Sequence, residues 1–291
     1  MSYSGFSYAK RGLAVRLAYL FAALLSFILR RLSGRTEGVV VLCYHSILAA
    51  QRTAFDRQMQ YIRKRVVSLD RIKNASDNDA MVVVTFDDAY ECLLHNVVPV
   101  VRALQVPIAI FAVSGNLGKP PAWLTDARHP DADLPTMSAD QLWQLAREPG
   151  VMIGSHSSSH RRLGELSAAE VDDELASSKA SLQDLLGLPC SYLALPHGSY
   201  RPEVIDLAIR HGYQRVLTLD EIALPSRWPT GTVGRFSVSP DMWMIEFVLT
   251  VRGAYAWLYV WRSWFRYLRM SFKRDIRLRV PKDGAGDSES N

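Results

Sequence analysis

The stretch Met81-Val82-Val83-Val84-Thr85-Phe86-Asp87-Asp88 decides how this chain is read. A run suited to a buried strand ends on two adjacent carboxylates. A second stretch repeats the design: Val151-Met152-Ile153-Gly154 leads through Ser155 to His156 and, four residues on, His160. Short continuous apolar runs are what strands buried on both faces look like in a parallel sheet. Further runs of this kind occupy 39–44, 107–113, 192–195 and 215–219, with helical patterns between them. Ser138 with Gln141 and Ser167 with Glu170 read as capping-box helix starts. Gly187 and Gly212 read as helix stops, and Pro202 suits a first helical turn. Repeated βα units close into a barrel or wind into an open sheet. His45, Asp87, His156 and Pro196 each follow a different strand, and that convergence favours a barrel with its site at the carboxyl face.

The residue types set the chemistry. An Asp-Asp pair by itself usually marks a solvated turn, and a His-x-x-x-His by itself is usually a pair of surface or core histidines. Both placed just after buried strands are far less expected by accident. Two imidazoles and one carboxylate make a three-ligand face with open positions for water and substrate. The remaining Asp is then free to act as a base toward a water that the metal activates. This pattern reads as a metal-dependent hydrolase.

Three motifs in order, TFDD at 85–88, HSSSH at 156–160 and LPHGSY at 195–200, resemble the polysaccharide deacetylases, carbohydrate esterase family four. The likeness runs over about residues 37–240. It implies an α/β fold, a distorted, incomplete (β/α) barrel, and the removal of N-acetyl groups from an amino-sugar glycan. It also implies that Asp87 is the general base. Asp88, His156 and His160 would bind one divalent metal, Zn²⁺ by default, with other first-row ions open. Pro196, His197 and Gly198 would form the oxyanion motif, with a backbone N–H near His197 as donor.

The sequence departs from the usual family pattern at three points. Ala89 stands where Gly usually follows the Asp pair. Ser191-Tyr192-Leu193-Ala194 offers no Arg to open the third motif. The last histidine is His211, so the usual catalytic His near the end of the domain is missing. A branch acting on poly-N-acetylglucosamine takes that His from an opening strand ending in Tyr-His. Val39-Val40-Val41-Leu42-Cys43-Tyr44-His45 has this form, which makes His45 the expected general acid and His197 its rival. Trp123 and Tyr200 are candidate sugar contacts. The expected substrate is an N-acetylated amino-sugar polymer or its lipid-linked precursor in exopolysaccharide synthesis. Alternatives are a deacylase of a lipid-carrier-linked amino-sugar monomer and an inactive glycan-binding scaffold of a membrane synthesis complex.

Charge is distributed unevenly. The net charge is +5, yet residues 1–36 carry six Lys/Arg and no acid, and residues 252–282 carry nine Lys/Arg against Asp275 alone. The body between them is acidic. Basic ends interleaved with large apolar side chains point to an anionic lipid surface and not to nucleic acid. Leu17 to Leu29 is an apolar run of thirteen residues, short for a span of ~20, with no small-x-small cleavage site after it. It reads as a membrane-embedded or interfacial anchor, or else as a helix packed on the body. Between Trp257 and Lys273, Arg262, Arg266, Arg269 and Lys273 form one helical stripe, and Trp257, Trp261, Trp264, Leu268 and Phe272 form the opposite one. The expected organisation is a membrane-associating segment at 1–36, the catalytic domain at 37–240, an amphipathic helical segment at 241–280 and a disordered tail at 281–291. The expected location is the cytoplasmic face of the inner membrane, with a periplasmic or outer-face anchor as the alternative. Three Cys with no metal spacing imply no disulfide framework.

Overall fold

The computed structural model describes residues 12–33, 38–74, 81–222 and 231–259. Eight parallel strands form one curled sheet: β1 (Val39–Tyr44), β2 (Met81–Phe86), β3 (Ile108–Ala112), β4 (Val151–Ser155), β5 (Tyr192–Ala194), β6 (Arg215–Leu217), β7 (Thr232–Val233) and β8 (Phe236–Ser237). Their order is β7-β6-β5-β4-β3-β2-β1-β8, so the last strand joins the first and the barrel stays incomplete. The six apolar runs of the sequence are β1 to β6. The two final strands, of two residues each, have no comparable run.

Among the described residues, eight α-helices surround the sheet: α1 (Leu13–Leu32), α2 (Arg52–Ile62), α3 (Cys92–Asn96), α4 (Val98–Leu104), α5 (Ala139–Leu145), α6 (Ala168–Leu186), α7 (Pro202–Arg210) and α8 (Met244–Val251). Ser138 and Ser167 cap α5 and α6, accepting from the amides of Gln141 and Glu170. A cap of this kind contributes about 1 kcal/mol. Pro202 opens α7, and Gly187 ends α6 at φ 65°, a left-handed position that favours glycine.

The strands divide their side chains by parity, as a period of two requires. Val40, Leu42, Val82, Val84, Ile108 and Ile110 face the helices and form the larger core. Val39, Val41, Val83, Ala109, Phe111, Ala194, Leu217 and Val233 point into the curl and form a second, smaller core. Continuing the inner parity upward leads to Cys43 near the end of β1 and His45 after it, Thr85 near the end of β2 and Asp87 after it, His156 after β4 and Arg235 after β7. Gly154 lies on this inner row, and a Cβ there would come within 2.5 Å of the Phe111 ring, so the row is filled below the site. The carboxyl mouth of the curl is therefore where polar groups collect.

At the edge, α8 packs into the larger core through Phe247, Leu249 and Val251. The apolar run Leu17–Leu29 lies within the longer helix α1, which includes Arg16, Arg30 and Arg31. One side of α1 rests on α8 and on Trp257. Of the residues named for the two stripes of the expected C-terminal helix, Trp257 alone is among the described residues. The stripe from Trp261 to Lys273, the tail at 281–291, and Lys10 and Arg11 lie outside them.

Candidate active site

Three side chains from two strand ends converge at the mouth. Asp88 Oδ1 lies 3.6 Å from His156 Nε2 and 3.3 Å from His160 Nε2. All three residues are buried, and their ligand atoms fall within 4.8 Å of one another. His156 Nδ1 donates to the carbonyl of Ala194 at 2.9 Å. A carbonyl can only accept, so the proton sits on Nδ1 and the Nε2 lone pair faces the carboxylate. Burial, with His160 adding to it, lowers the His156 pKa to about 4, so no second proton fills the gap at neutral pH. Asp88 Oδ1 is buried with no hydrogen-bond partner among the described residues. A lone pair facing an unpartnered carboxylate oxygen is unfavourable unless a cation lies between them. The trio fits one divalent metal, with Ala194 supplying the outer contact that orients a ligating His.

The local backbone shows how the sequence builds this. Asp88, Ala89, Ser157, His160 and His197 all take positive φ, between 50° and 67°. At Ala89, where φ is 50°, glycine would be the unstrained residue. The three serines of HSSSH are structural. His160 N donates to Ser157 Oγ at 3.1 Å, and Ser157 N donates to Ser155 Oγ at 3.1 Å. Glu174, buried on α6, accepts from the amides of Ser158 at 3.0 Å and Ser159 at 2.9 Å, and from Ser159 Oγ. One carboxylate thus anchors the loop that carries both histidines.

Asp87 sits beside the trio, with Oδ2 3.8 Å from His156 Nε2. Its main partner is Arg235, which donates from Nη1 to Oδ1 at 2.7 Å and from Nη2 to Oδ2 at 2.8 Å. Cys43 Sγ donates to Oδ2 at 3.3 Å. Burial alone would raise the Asp87 pKa, but Arg235, His156 and His45 outweigh it and hold the carboxyl well below the usual range. Asp87 is thus ionised at any working pH. Arg235 is itself fully buried, and its Nη1 and Nε also donate to Thr85 Oγ1 and to the Thr218 carbonyl. Sequence reasoning missed Arg235. The signal available was the alternation Thr232-Val233-Gly234-Arg235-Phe236-Ser237, which places the Arg on the same face as Val233. Gly234 lets the chain turn there, since a Cβ would meet the Asp220 carbonyl at 2.3 Å.

His45 is half-buried, and its ring, the Cys43 thiol and Asp87 offer ligand atoms within 4.8 Å of one another. This grouping is a poor second metal site. Burial pushes the Cys43 thiol pKa well up, and the guanidinium of Arg235 already neutralises Asp87. His197 lies on the opposite flank, its ring edge-on to His160 at 4.6 Å between centroids. Burial, then His160, lowers its pKa to about 3. Trp123 stacks on His160 at 4.3 Å, so one ring face covers a candidate ligand. Pro196 is buried, and Gly198 N and Ser199 N close a tight turn on the carbonyls of Leu195 and Pro196. Tyr200 is more exposed, and its hydroxyl donates to Asp220 at 2.6 Å.

Comparison with known proteins gives a consistent result. Residues 74–216 match the sequence profile described as polysaccharide deacetylase. A putative polysaccharide deacetylase of Bacillus subtilis, YxkH, is 23% identical over 215 residues, spanning 69% of this chain and 72% of the relative. Among solved structures, IcaB from Ammonifex degensii superposes with a TM-score of 0.60 at 24% identity, covering 75% of this chain and 97% of that one. The BpsB deacetylase domain from Bordetella bronchiseptica gives 0.56 at 18% identity, covering 69% and 95%.

Proposed function

This chain carries a polysaccharide deacetylase domain, and from that premise we propose that it removes N-acetyl groups from an amino-sugar exopolysaccharide, or from its lipid-linked precursor, at a membrane surface. The observation that carries the reading is the buried Asp88, His156 and His160 trio with Asp87 held ionised beside it. The family uses a divalent metal, and these three residues would hold it. When bound, the ion would polarise the attacking water and the amide carbonyl.

The chain's own residues supply the rest. Asp87 takes the proton of the attacking water; Arg235 keeps the carboxylate ionised and fixed in orientation. The amides of Gly198 and Ser199 are committed within the third-motif turn, which makes the His197 amide the candidate donor to the developing oxyanion. His45 protonates the leaving sugar nitrogen. The amide C–N bond breaks, and acetate and a free amine leave. Trp123, half-buried over His160, would border the sugar subsite.

The test is acetate release from N-acetylated oligosaccharides by the purified full chain, before and after chelation, with divalent ions restored one at a time. Turnover that vanishes with chelator and returns with metal supports the proposal. A protein that binds the glycan with stoichiometric metal but releases no acetate would instead be a scaffold.

A further inference from the structure

Helix α1 has two apolar faces, and only one is covered among the described residues. Arg16, Tyr19, Leu20, Ala23, Phe27 and Arg30 share the inner face at helical spacing. Ala23 is fully buried there, and Tyr19 packs on Trp257 with ring centroids 5.7 Å apart. Arg16 donates to Glu246 from Nε at 2.6 Å and lies over the Trp243 ring at 3.9 Å. Arg30 donates from Nη1 to the Gly253 carbonyl at 3.1 Å. These two anchors lie about 21 Å apart along the helix, at 1.5 Å per residue. The catalytic body therefore engages α1 along most of its length.

The outer face is apolar and, among the described residues, open. Leu17, Phe21, Leu24, Leu25, Ile28 and Leu32 cluster within about 100° at 100° per residue, and Phe21 and Leu32 are 70% and 81% exposed. Nearby on α8, Ile245 is 52% exposed. By length and composition α1 could cross a bilayer. The docking contradicts that: a helix held at both ends by a water-soluble body cannot also thread the hydrocarbon without dragging the body in. Charge complements the apolar face: with Arg16 and Arg30 engaged by the body, exposed Arg31 borders it, and the flanking sequence adds Lys10, Arg11 and Arg35 with no acid in residues 1–36.

We propose that α1 is a monotopic anchor lying in the plane of an anionic bilayer, its outer face in the lipid and its inner face on the catalytic body. This deepens the membrane part of the function proposed above and does not depend on its chemistry. Lipid is the occupant the surface fits, because an in-plane helix needs a cationic flank with a wide apolar arc. α8 follows β8 at the carboxyl end of the strands, and the contacts of Arg16 with Glu246 and of Arg30 with the Gly253 carbonyl set α1 alongside it in the same direction. An in-plane α1 therefore leaves the mouth of the site facing along the bilayer surface, where a lipid-linked glycan would lie.

The experiment uses the full chain with vesicles of phosphatidylcholine, with and without phosphatidylglycerol. The native protein should float with the anionic vesicles. The triple variant Phe21→Glu, Leu24→Glu, Ile28→Glu should lose flotation on the order of tenfold, with its melting temperature and its activity on soluble oligosaccharide unchanged. Gly12→Cys and Ser33→Cys, made separately on bound protein, should both react with an impermeant maleimide added outside sealed vesicles, above the background of the native cysteines. Labelling of one and protection of the other means α1 spans, which overturns the in-plane anchor but keeps the membrane reading. Failure of the native chain to float, or equal flotation of the triple variant, overturns the lipid-facing surface. A lipid-free dimer that the triple variant dissociates would assign that face to a second copy and overturn the proposal.

Discussion

Arg235 clamps both carboxylate oxygens of Asp87, at 2.7 and 2.8 Å, from 148 residues away in the chain. Both are buried, so removing one strands a charge on the other, at a cost of about 3–5 kcal/mol. Arg235→Met is expected to lose roughly that much stability in urea denaturation. Arg235→Lys keeps the charge but loses the bidentate fork and should fall between. A wild-type urea midpoint for Arg235→Met would show that the pair does not hold the fold.

Asp87→Asn should retain metal and lose turnover by roughly 100- to 10,000-fold, the contribution of a positioned base. The amide removes the base while Asp88, His156 and His160 stay in place. Asp88→Ala should lose both metal and turnover. Metal content measured on the purified variants separates the two, and loss of metal from Asp87→Asn would make Asp87 a ligand.

Glu174 is a positioning residue. Its carboxylate gathers the amides of Ser158 and Ser159, and that loop carries His160 at a positive φ of 60°. Glu174→Ala should weaken metal affinity by about 10- to 100-fold, as loss of an outer-shell contact does. Glu174→Gln keeps one carbonyl acceptor and should lose less. Equal affinity in a competition titration with a chelator would mean the loop holds its shape without Glu174.

Most of the frame was legible because its strands are continuous apolar runs. β1 to β6 announce themselves, and Asp87, Asp88, His156 and His160 follow such runs directly. Arg235 did not, since β7 and β8 are two residues each and a fully buried Arg is rare. Its role becomes visible only when β8 pairs with β1 and brings the inner row of the last strand beside that of the first. The full length of α1 was hidden for a related reason. Arg16 and Arg30 look like the ends of an apolar segment, yet Glu246 and the Gly253 carbonyl absorb them, and the helix continues past both. The serines of HSSSH read as spacers because their hydrogen bonds run to Ser155, itself bonded to Ser178, and to Glu174 on α6, which no local pattern joins to them.

The acid assignment rests on two histidines that flank the same three ligands. His45 and Asp87 share one side, within 4.8 Å by ligand atoms, and His197 leans on His160 from the other. Burial and His160 lower the His197 pKa to about 3, so its ring is neutral at neutral pH and carries no proton to give as an imidazolium. A bound cation would lower it further. His45→Ala is therefore expected to lower kcat by roughly 100- to 10,000-fold with metal content unchanged. His197→Ala keeps the backbone amide that the oxyanion would use, so it should cost on the order of tenfold or less, provided the left-handed turn at φ 57° survives the change. His197→Asn, which tolerates that backbone better, controls for the turn. Intact turnover in His45→Ala together with lost turnover in both His197 variants would move the proton donor to the third motif.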